Sequence, residues 1–324
     1  MQTNTLGSLW PVSVLTLGGG GLGQVWGSTT RDEAIATVRE AVAAGITLLD
    51  LAPGYGDGEA ERVVGEAFGG ALPEGVRVTT KCRLGNPPAG EVYGILRASL
   101  EASLERMKLA RVDLFFLHNL LDADAPEGAK SRTSLATCRD ALIPAFEKLR
   151  EEGLIGAWGL TGIGFPSSLL QALKGEPVPA AIQCIANLLD SPGALKRYDE
   201  PARPREIIAA ARARGVGVMG IRAVQAGALT SAFDRELPPD SADAADFERA
   251  APFRALADAL ELPPALLAHR YALGIPGVDT VVLGVKTREE LRECLAAATA
   301  GPLPPALIAR IDASVATPGV AGQA

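Results

Sequence analysis

Along the chain, short apolar runs rich in β-branched residues alternate with longer segments whose apolar positions recur every three or four residues. The runs are VSVLTL (12–17), ITLLD (46–50), VRVTTK (76–81), VDLFFLH (112–118), LIGAWGLT (154–161), AAIQCI (180–185), VGVMGI (216–221) and DTVVLG (279–284). Most are continuously apolar rather than alternating, the pattern of strands buried on both faces. The segments between them, such as 31–45, 59–70 and 141–153, read as amphipathic helices, and glycines at 45, 69–70, 153 and 215 stand where helix C-caps belong. Eight strands separated by helices predict an α/β fold of the closed (β/α)8 TIM-barrel type. Two polar, Pro- and Gly-rich stretches, 120–135 and 231–249, fall outside this rhythm and are expected as loops on the C-terminal face of the barrel. The last residues, ATPGVAGQA, read as a loose tail.

A length of 324 residues suits two domains or one α/β barrel, and the unbroken alternation favours a single domain over 1–324. Apolar residues at 48% can fill a sizeable core, and 36 glycines with 23 prolines call for many turns rather than disorder. A net charge of −7 gives no basic field for a nucleic-acid partner. No window approaches 18 consecutive apolar residues, so no membrane span is expected. The N-terminus lacks a charged start followed by an apolar stretch, so no secretory signal is read and a cytoplasmic location is expected. The four cysteines (82, 138, 184, 294) are far apart and there are only two histidines, which argues against a metal cage and against disulfides.

Two groups of residues are candidates for chemistry. Gly18-Gly19-Gly20-Gly21-Leu22-Gly23 matches GxGxxG after a strand. A dinucleotide fingerprint requires the helix to open within the glycine run, however, and here QVWGSTTRD intervenes, with Ser28, Thr29 and Thr30 as the N-cap region. Asp50 lies too far on to serve as the ribose acid, and none of the four tyrosines is followed by Lys four residues later. The run is therefore expected to form a tight strand-to-loop turn. The second group is Asp50, Tyr55, Lys81 and His118, at or just after the ends of three consecutive strands. Strand ends of a parallel barrel converge, so these four can meet. A phenol becomes a useful acid when positive charge lowers its pKa; Lys81 can supply that charge, Asp50 can hold the ammonium, and His118 can bond a substrate oxygen or relay the proton. Each alone could be structural; four at consecutive strand ends point to a site. His269, in the helical pattern PPALLAHRYAL, reads as structural.

These residues resemble the aldo-keto reductases from about 12 to 315. GITLLDLAPGYGDGEAERVVGEAF is similar to the family's Gly-aromatic-x-x-x-Asp-Thr-Ala…Tyr-Gly-x-Ser-Glu segment, and LERMKLARVDLFFLH to the stretch leading to its active-site histidine. FEKLREEGLIGAWGLTG, AIQCIANLLD and TVVLGVKTREELREC resemble later family segments, in order. The resemblance implies an N-terminal β-hairpin below the barrel, drawn from residues 3–17, and metal-free hydride transfer between NADP, or alternatively NAD, and a small carbonyl or alcohol substrate. It places the family tetrad on Asp50, Tyr55, Lys81 and His118, with Tyr55 as proton donor. Asp50, Asn119 and Gln183 would lie near the nicotinamide, with Gly20 and Gly21 close by, Gly227 and Leu229 over the pyrophosphate, and Gly284, Lys286, Arg288 and Glu290 at the adenosine.

The chain also departs from the family pattern. Thr161-Gly162 stands where many relatives have Ser-Asn, Ile221 where many have a stacking Tyr, followed by Arg222, which could reach a phosphate, and Cys294 where Asn is usual. Lys286, Thr287 and Arg288 favour NADPH over NADH, against Glu289 and Glu290 in the same turn. Trp26 is a candidate pocket wall or rim-packing residue, and the two loops add only Phe233 and Phe247 as aromatics. Some relatives are redox-sensing regulatory subunits with little turnover, as potassium-channel beta subunits are; that is the alternative to an oxidoreductase. A phosphate-sugar lyase or isomerase on the same barrel gains little from this sequence.

Overall fold

The computed structural model describes residues 1–233, 235–238 and 240–315. The barrel strands are β1 (Leu15–Gly18), β2 (Leu48–Asp50), β3 (Arg77–Cys82), β4 (Val112–Leu117), β5 (Ile155–Gly162), β6 (Ala181–Ile185), β7 (Gly217–Ile221) and β8 (Thr280–Leu283). They pair in parallel in chain order, and β8 closes on β1. Each predicted run holds one of them, except that 12–17 divides between β1 and a preceding strand, Pro11–Ser13. That strand pairs antiparallel with Thr3–Thr5, which is the expected hairpin.

Side chains alternate along a strand, so each β-strand sends every second residue into the barrel. Leu48, Leu114, Phe116, Ala157, Ala181 and Met219 form one apolar cluster with Leu6 and Val12 of the hairpin region. This cluster fills the lower barrel. The opposite parity, including Leu49, Val78, Phe115, Leu117, Ile182 and Val218, packs in the larger cluster with the surrounding helices. Two residues beyond the inward Leu48, Phe116, Ala181 and Met219 stand Asp50, His118, Gln183 and Ile221. One parity rule therefore gives an apolar plug below and a polar floor above it.

Three local expectations need correction. The stretch 120–135 is not simply loop: Leu120–Asp122 pairs with Arg132–Ser134. Within 231–249, a helix spans Ala242–Arg249, because Ser241 caps it, its Oγ accepting from Asp243 N and Ala244 N. The glycine run does contain a helical turn, Gly19–Leu22, contrary to the expected simple turn. It stops at Gly23, and the next helix, Arg31–Ala43, starts at the expected cap, with Thr30 Oγ1 accepting from Glu33 N. The predicted tail, 316–324, lies outside the described residues.

Close packing explains the glycines. A methyl group at Gly21 would lie 2.1 Å from the Val285 carbonyl oxygen, and one at Gly20 would lie 2.1 Å from the Trp26 ring. Alanine normally stabilises a helix by about 0.5–1 kcal/mol over glycine. At Gly21 the backbone collision reverses that sign, and Gly21→Ala is expected to cost about 1–3 kcal/mol as overpacking. Urea denaturation measures this; an unchanged or higher midpoint would show that the turn relaxes freely.

Among the described residues no helix is long and apolar enough to cross a membrane, and no group of three or more His, Cys, Asp or Glu is placed to hold a metal ion. All four cysteines are free and buried. His269 is structural, its Nδ1 2.8 Å from the Ala265 carbonyl oxygen and its Nε2 3.6 Å from Cys294 Sγ.

Candidate active site

At the C-terminal mouth the four predicted residues come together. Lys81 is fully buried, and its Nζ donates to Asp50 Oδ2 at 2.9 Å, to the Leu51 carbonyl at 2.7 Å and to Tyr55 Oη at 3.4 Å. Asp50 Oδ1 accepts from Thr79 Oγ1 at 2.7 Å and from Gln183 Nε2 at 2.8 Å. The neighbouring β3 and, across the barrel, β6 thus spread one carboxylate's hydrogen bonds over three donors, as a buried charge requires. Tyr55 follows β2 in a turn closed by its own N–H on the Ala52 carbonyl. Its ring meets His118 edge to face at 5.9 Å, and Lys81 Nζ lies 4.9 Å from the centre of that ring. His118 is positioned by its backbone N–H, which donates to Cys82 O at 2.7 Å.

Electrostatics refine one expectation. Burial raises the Tyr55 phenol above its ordinary value of 10, although Lys81 and Arg83 pull the other way. The phenol therefore keeps its proton through neutral pH, and the nearby cations limit the rise rather than produce a net fall. Burial works against the Lys81 ammonium, but Asp50 and Tyr55 together outweigh it and raise Lys81 above 10.5. Burial, with Lys81 and Arg83 adding to it, holds His118 well below 6.5, so its imidazole is neutral at pH 7. The resulting group is a protonated phenol, an ammonium locked on a carboxylate, and a neutral imidazole.

The other predicted residues fall into three sets. Gln183, Thr161 and Asn119 are buried around the mouth. Thr161 Oγ1 donates to Leu117 O, Asn119 Oδ1 accepts from Gly85 N, and Asn119 Nδ2 donates to Lys130 O. Ile221 ends β7 with its side chain partly exposed. Arg222 and Gly227 have positive φ in the loop that follows, at 60° and 102°. The Arg222 guanidinium donates to Asp243 Oδ1 at 2.6 Å and to Gln225 Oε1 at 3.0 Å, so it is committed within the protein. Leu229 is fully buried in a second apolar cluster with Phe253 and Leu267.

After β8, Gly284 is exposed beneath Trp26, whose Nε1 donates to its carbonyl at 2.8 Å. Trp26 thus packs on the rim, over Gly20 and Gly284. The Lys286 ammonium pairs with Glu290 at 2.7 Å, and Lys286 N donates to the same carboxylate. Arg288 pairs with Glu33 through its guanidinium at 2.8 Å, and Arg288 N also donates to Glu33. Thr287 caps the helix Arg288–Thr299, its Oγ1 accepting from Glu290 N.

Sequence reasoning missed two residues here. Glu33 lies one turn into a distant helix, and only the closure of β8 on β1 brings it to Arg288. Arg83 stands two residues after Lys81, on the same parity, and strand alternation was a signal that could have found it. It is exposed, with its guanidinium lying against Gly54, next to Tyr55.

The profile of the Aldo/keto reductase family matches residues 14–316. L-galactose dehydrogenase of Arabidopsis thaliana is 27% identical over 89% of this chain and 85% of its own length. An NADH-specific methylglyoxal reductase of Escherichia coli (strain K12) is 27% identical, with 86% of each chain covered. An aldo-keto reductase from Bacillus halodurans, solved in its holo form, superposes with a TM-score of 0.74 at 24% identity, covering 99% of both chains. With the barrel, the hairpin and this match over nearly its whole length, the chain belongs to the aldo/keto reductase family, whose members are NAD(P)H-dependent oxidoreductases.

Proposed function

We propose that the chain reduces the carbonyl of an aldehyde, ketone or sugar, or oxidises the corresponding alcohol, with Tyr55 as the proton donor and Lys81, Asp50 and His118 as its partners. The observation that carries this reading is the Lys81 ammonium, buried and shared between the Asp50 carboxylate and the Tyr55 hydroxyl. Tyr55 holds its proton at neutral pH and would pass it to the substrate oxygen in reduction. Lys81 would stabilise the phenolate left behind, and Asp50 fixes the ammonium in place. Neutral His118 would donate a hydrogen bond to the same substrate oxygen, orienting the carbonyl.

The mouth suits a nicotinamide dinucleotide, which when bound supplies or takes up the hydride. Gln183 spends its Nε2 on Asp50 and has no hydrogen bond to its Oε1 among the described residues. One Nδ2 hydrogen of Asn119 likewise remains beyond the bond to Lys130. An acceptor and a donor of this kind match a carboxamide, with Thr161 alongside. Ile221 offers an aliphatic surface for the ring. Gly20 and Gly21 would offer backbone alone to the cofactor, since Trp26 and Val285 fill the space a side chain would take, and Gly227 and Leu229 belong to the loop that would cover the pyrophosphate. Arg222 would support that loop through Asp243 rather than hold a phosphate itself.

For the adenosine end we propose NADP(H), with NAD(H) as the alternative, held at Gly284, Lys286, Arg288 and Glu290. Lys286 and Arg288 already face Glu290 and Glu33. Ion pairs with one side open to solvent contribute modestly, so a dianionic 2′-phosphate can take over their cations, but the competition narrows the preference. NADPH is expected to exceed NADH in kcat/KM by about tenfold, the lower end of what charge-assisted bonds provide. Lys286→Ala should reduce the ratio and Glu33→Gln should raise it. Equal wild-type values, or a ratio that neither variant moves, would show that this turn does not read the phosphate.

The alternative reading is a cofactor-binding redox sensor. Following cofactor oxidation over a panel of aldehydes separates the two: an enzyme turns over at least one of them many times, whereas a sensor binds cofactor and converts almost nothing.

A further inference from the structure

We propose that Arg83 selects substrates carrying an oxyanion, a carboxylate or a phosphate, a short distance from the reacting carbonyl. This rests on the function proposed above and goes on to name a substrate class. Arg83 follows the end of β3, and the parity that turns Lys81 into the barrel places Arg83 two residues higher on the same side, above the tetrad. Its guanidinium lies against Gly54, whose missing side chain makes room for it: a methyl group there would be 3.4 Å from Arg83 Cζ and Nη2. It is thereby placed next to the turn that presents Tyr55. Its charge reaches both Tyr55 and His118.

Five other cations around the mouth are answered by carboxylates. Lys81 faces Asp50, Arg132 faces Asp122, Arg222 faces Asp243, Lys286 faces Glu290 and Arg288 faces Glu33. Arg83 has no ion pair or hydrogen-bond partner among the described residues, and it is exposed. The nearest acid of the tetrad, Asp50, already serves Lys81, Thr79 and Gln183. An acidic chain with a net charge of −7 thus leaves the Arg83 guanidinium uncompensated beside the turn that presents Tyr55. A planar fork of donors binds carboxylate and phosphate in two-pronged geometry, and docking such a group there would aim the carbonyl at Tyr55.

The test compares matched pairs of substrates: succinic semialdehyde with butanal for carboxylate, and glyceraldehyde 3-phosphate with glyceraldehyde for phosphate. In the wild type, one charged member is expected to exceed its neutral partner in kcat/KM by roughly ten- to a hundredfold, mostly through KM, and the larger ratio identifies the oxyanion. Arg83→Met should bring that ratio close to one, Arg83→Lys should retain part of it, and added salt should lower it in the wild type only. Calorimetry of the cofactor-loaded protein with 4-hydroxybutanoate, butan-1-ol, glycerol 3-phosphate and glycerol gives the same comparison without turnover. If no carbonyl is reduced, the proposed function fails, while calorimetry still decides the role of Arg83. Charged and neutral members handled alike, or a charged preference that survives Arg83→Met, would overturn the proposal.

Discussion

Replacing Tyr55 by phenylalanine is expected to lower kcat for carbonyl reduction by about 10²–10⁴-fold, the usual cost of losing a general acid. Removing one hydroxyl leaves the ring in place, so the contacts with His118 and Lys81 persist and the site keeps its shape. Cofactor affinity, read by quenching of protein fluorescence, should stay close to that of the wild type. Steady-state kinetics with an aldehyde substrate supply the check. Turnover within about threefold of the wild type would remove Tyr55 from the role of acid.

The second large effect is expected at Lys81. Lys81→Met takes away one member of a buried ion pair and leaves the Asp50 carboxylate with only Thr79 and Gln183 as donors. Uncompensated charges of this kind typically cost about 3–5 kcal/mol. The sign with pH follows from the shift: Lys81 is held above 10.5, so the pair's contribution is complete at neutral pH and is lost only as pH rises through the folded-state pKa. The variant should therefore unfold at lower urea concentration at pH 7, and the difference should shrink in strong alkali. Catalysis should fall as well. Lys81 is the larger of the charges pulling the Tyr55 pKa down, so its loss moves that pKa further up, and the basic limb of the remaining activity shifts to higher pH. An unshifted limb would separate Lys81 from the phenol.

Much of this architecture can be read from the sequence because buried parallel strands declare themselves. The run VDLFFLH is apolar on both faces, and the structure shows why: Leu114 and Phe116 fill the barrel while Phe115 and Leu117 meet the helices. The same parity brings Asp50, Lys81 and His118 to one face, with Tyr55 in the turn just after Asp50, so the tetrad was legible before any coordinate was known. Residues whose state depends on a distant partner were not. The commitment of Arg222 to Asp243 needs a helix that the polar composition of 231–249 concealed. The engagement of Arg288 by Glu33 needs barrel closure. The net shift of the Tyr55 pKa was not legible, because sequence reveals the neighbouring cation that lowers it but not the burial that outweighs it. The glycine run misled twice: it imitates a dinucleotide fingerprint, and it does form a helical turn, yet the carbonyl of Val285 and the ring of Trp26 account for Gly21 and Gly20.

The most direct test of the central claim is isotope transfer. The protein is incubated with reduced cofactor bearing deuterium at the transferable C4 position and with an aldehyde it accepts, and the alcohol is examined by mass spectrometry and NMR. The account predicts one deuterium on the former carbonyl carbon, and formation of that product at a rate lowered about 10²–10⁴-fold in Tyr55→Phe while cofactor remains bound. Cofactor binding with no labelled alcohol from any carbonyl supplied, or label transfer equally fast in Tyr55→Phe, would contradict it.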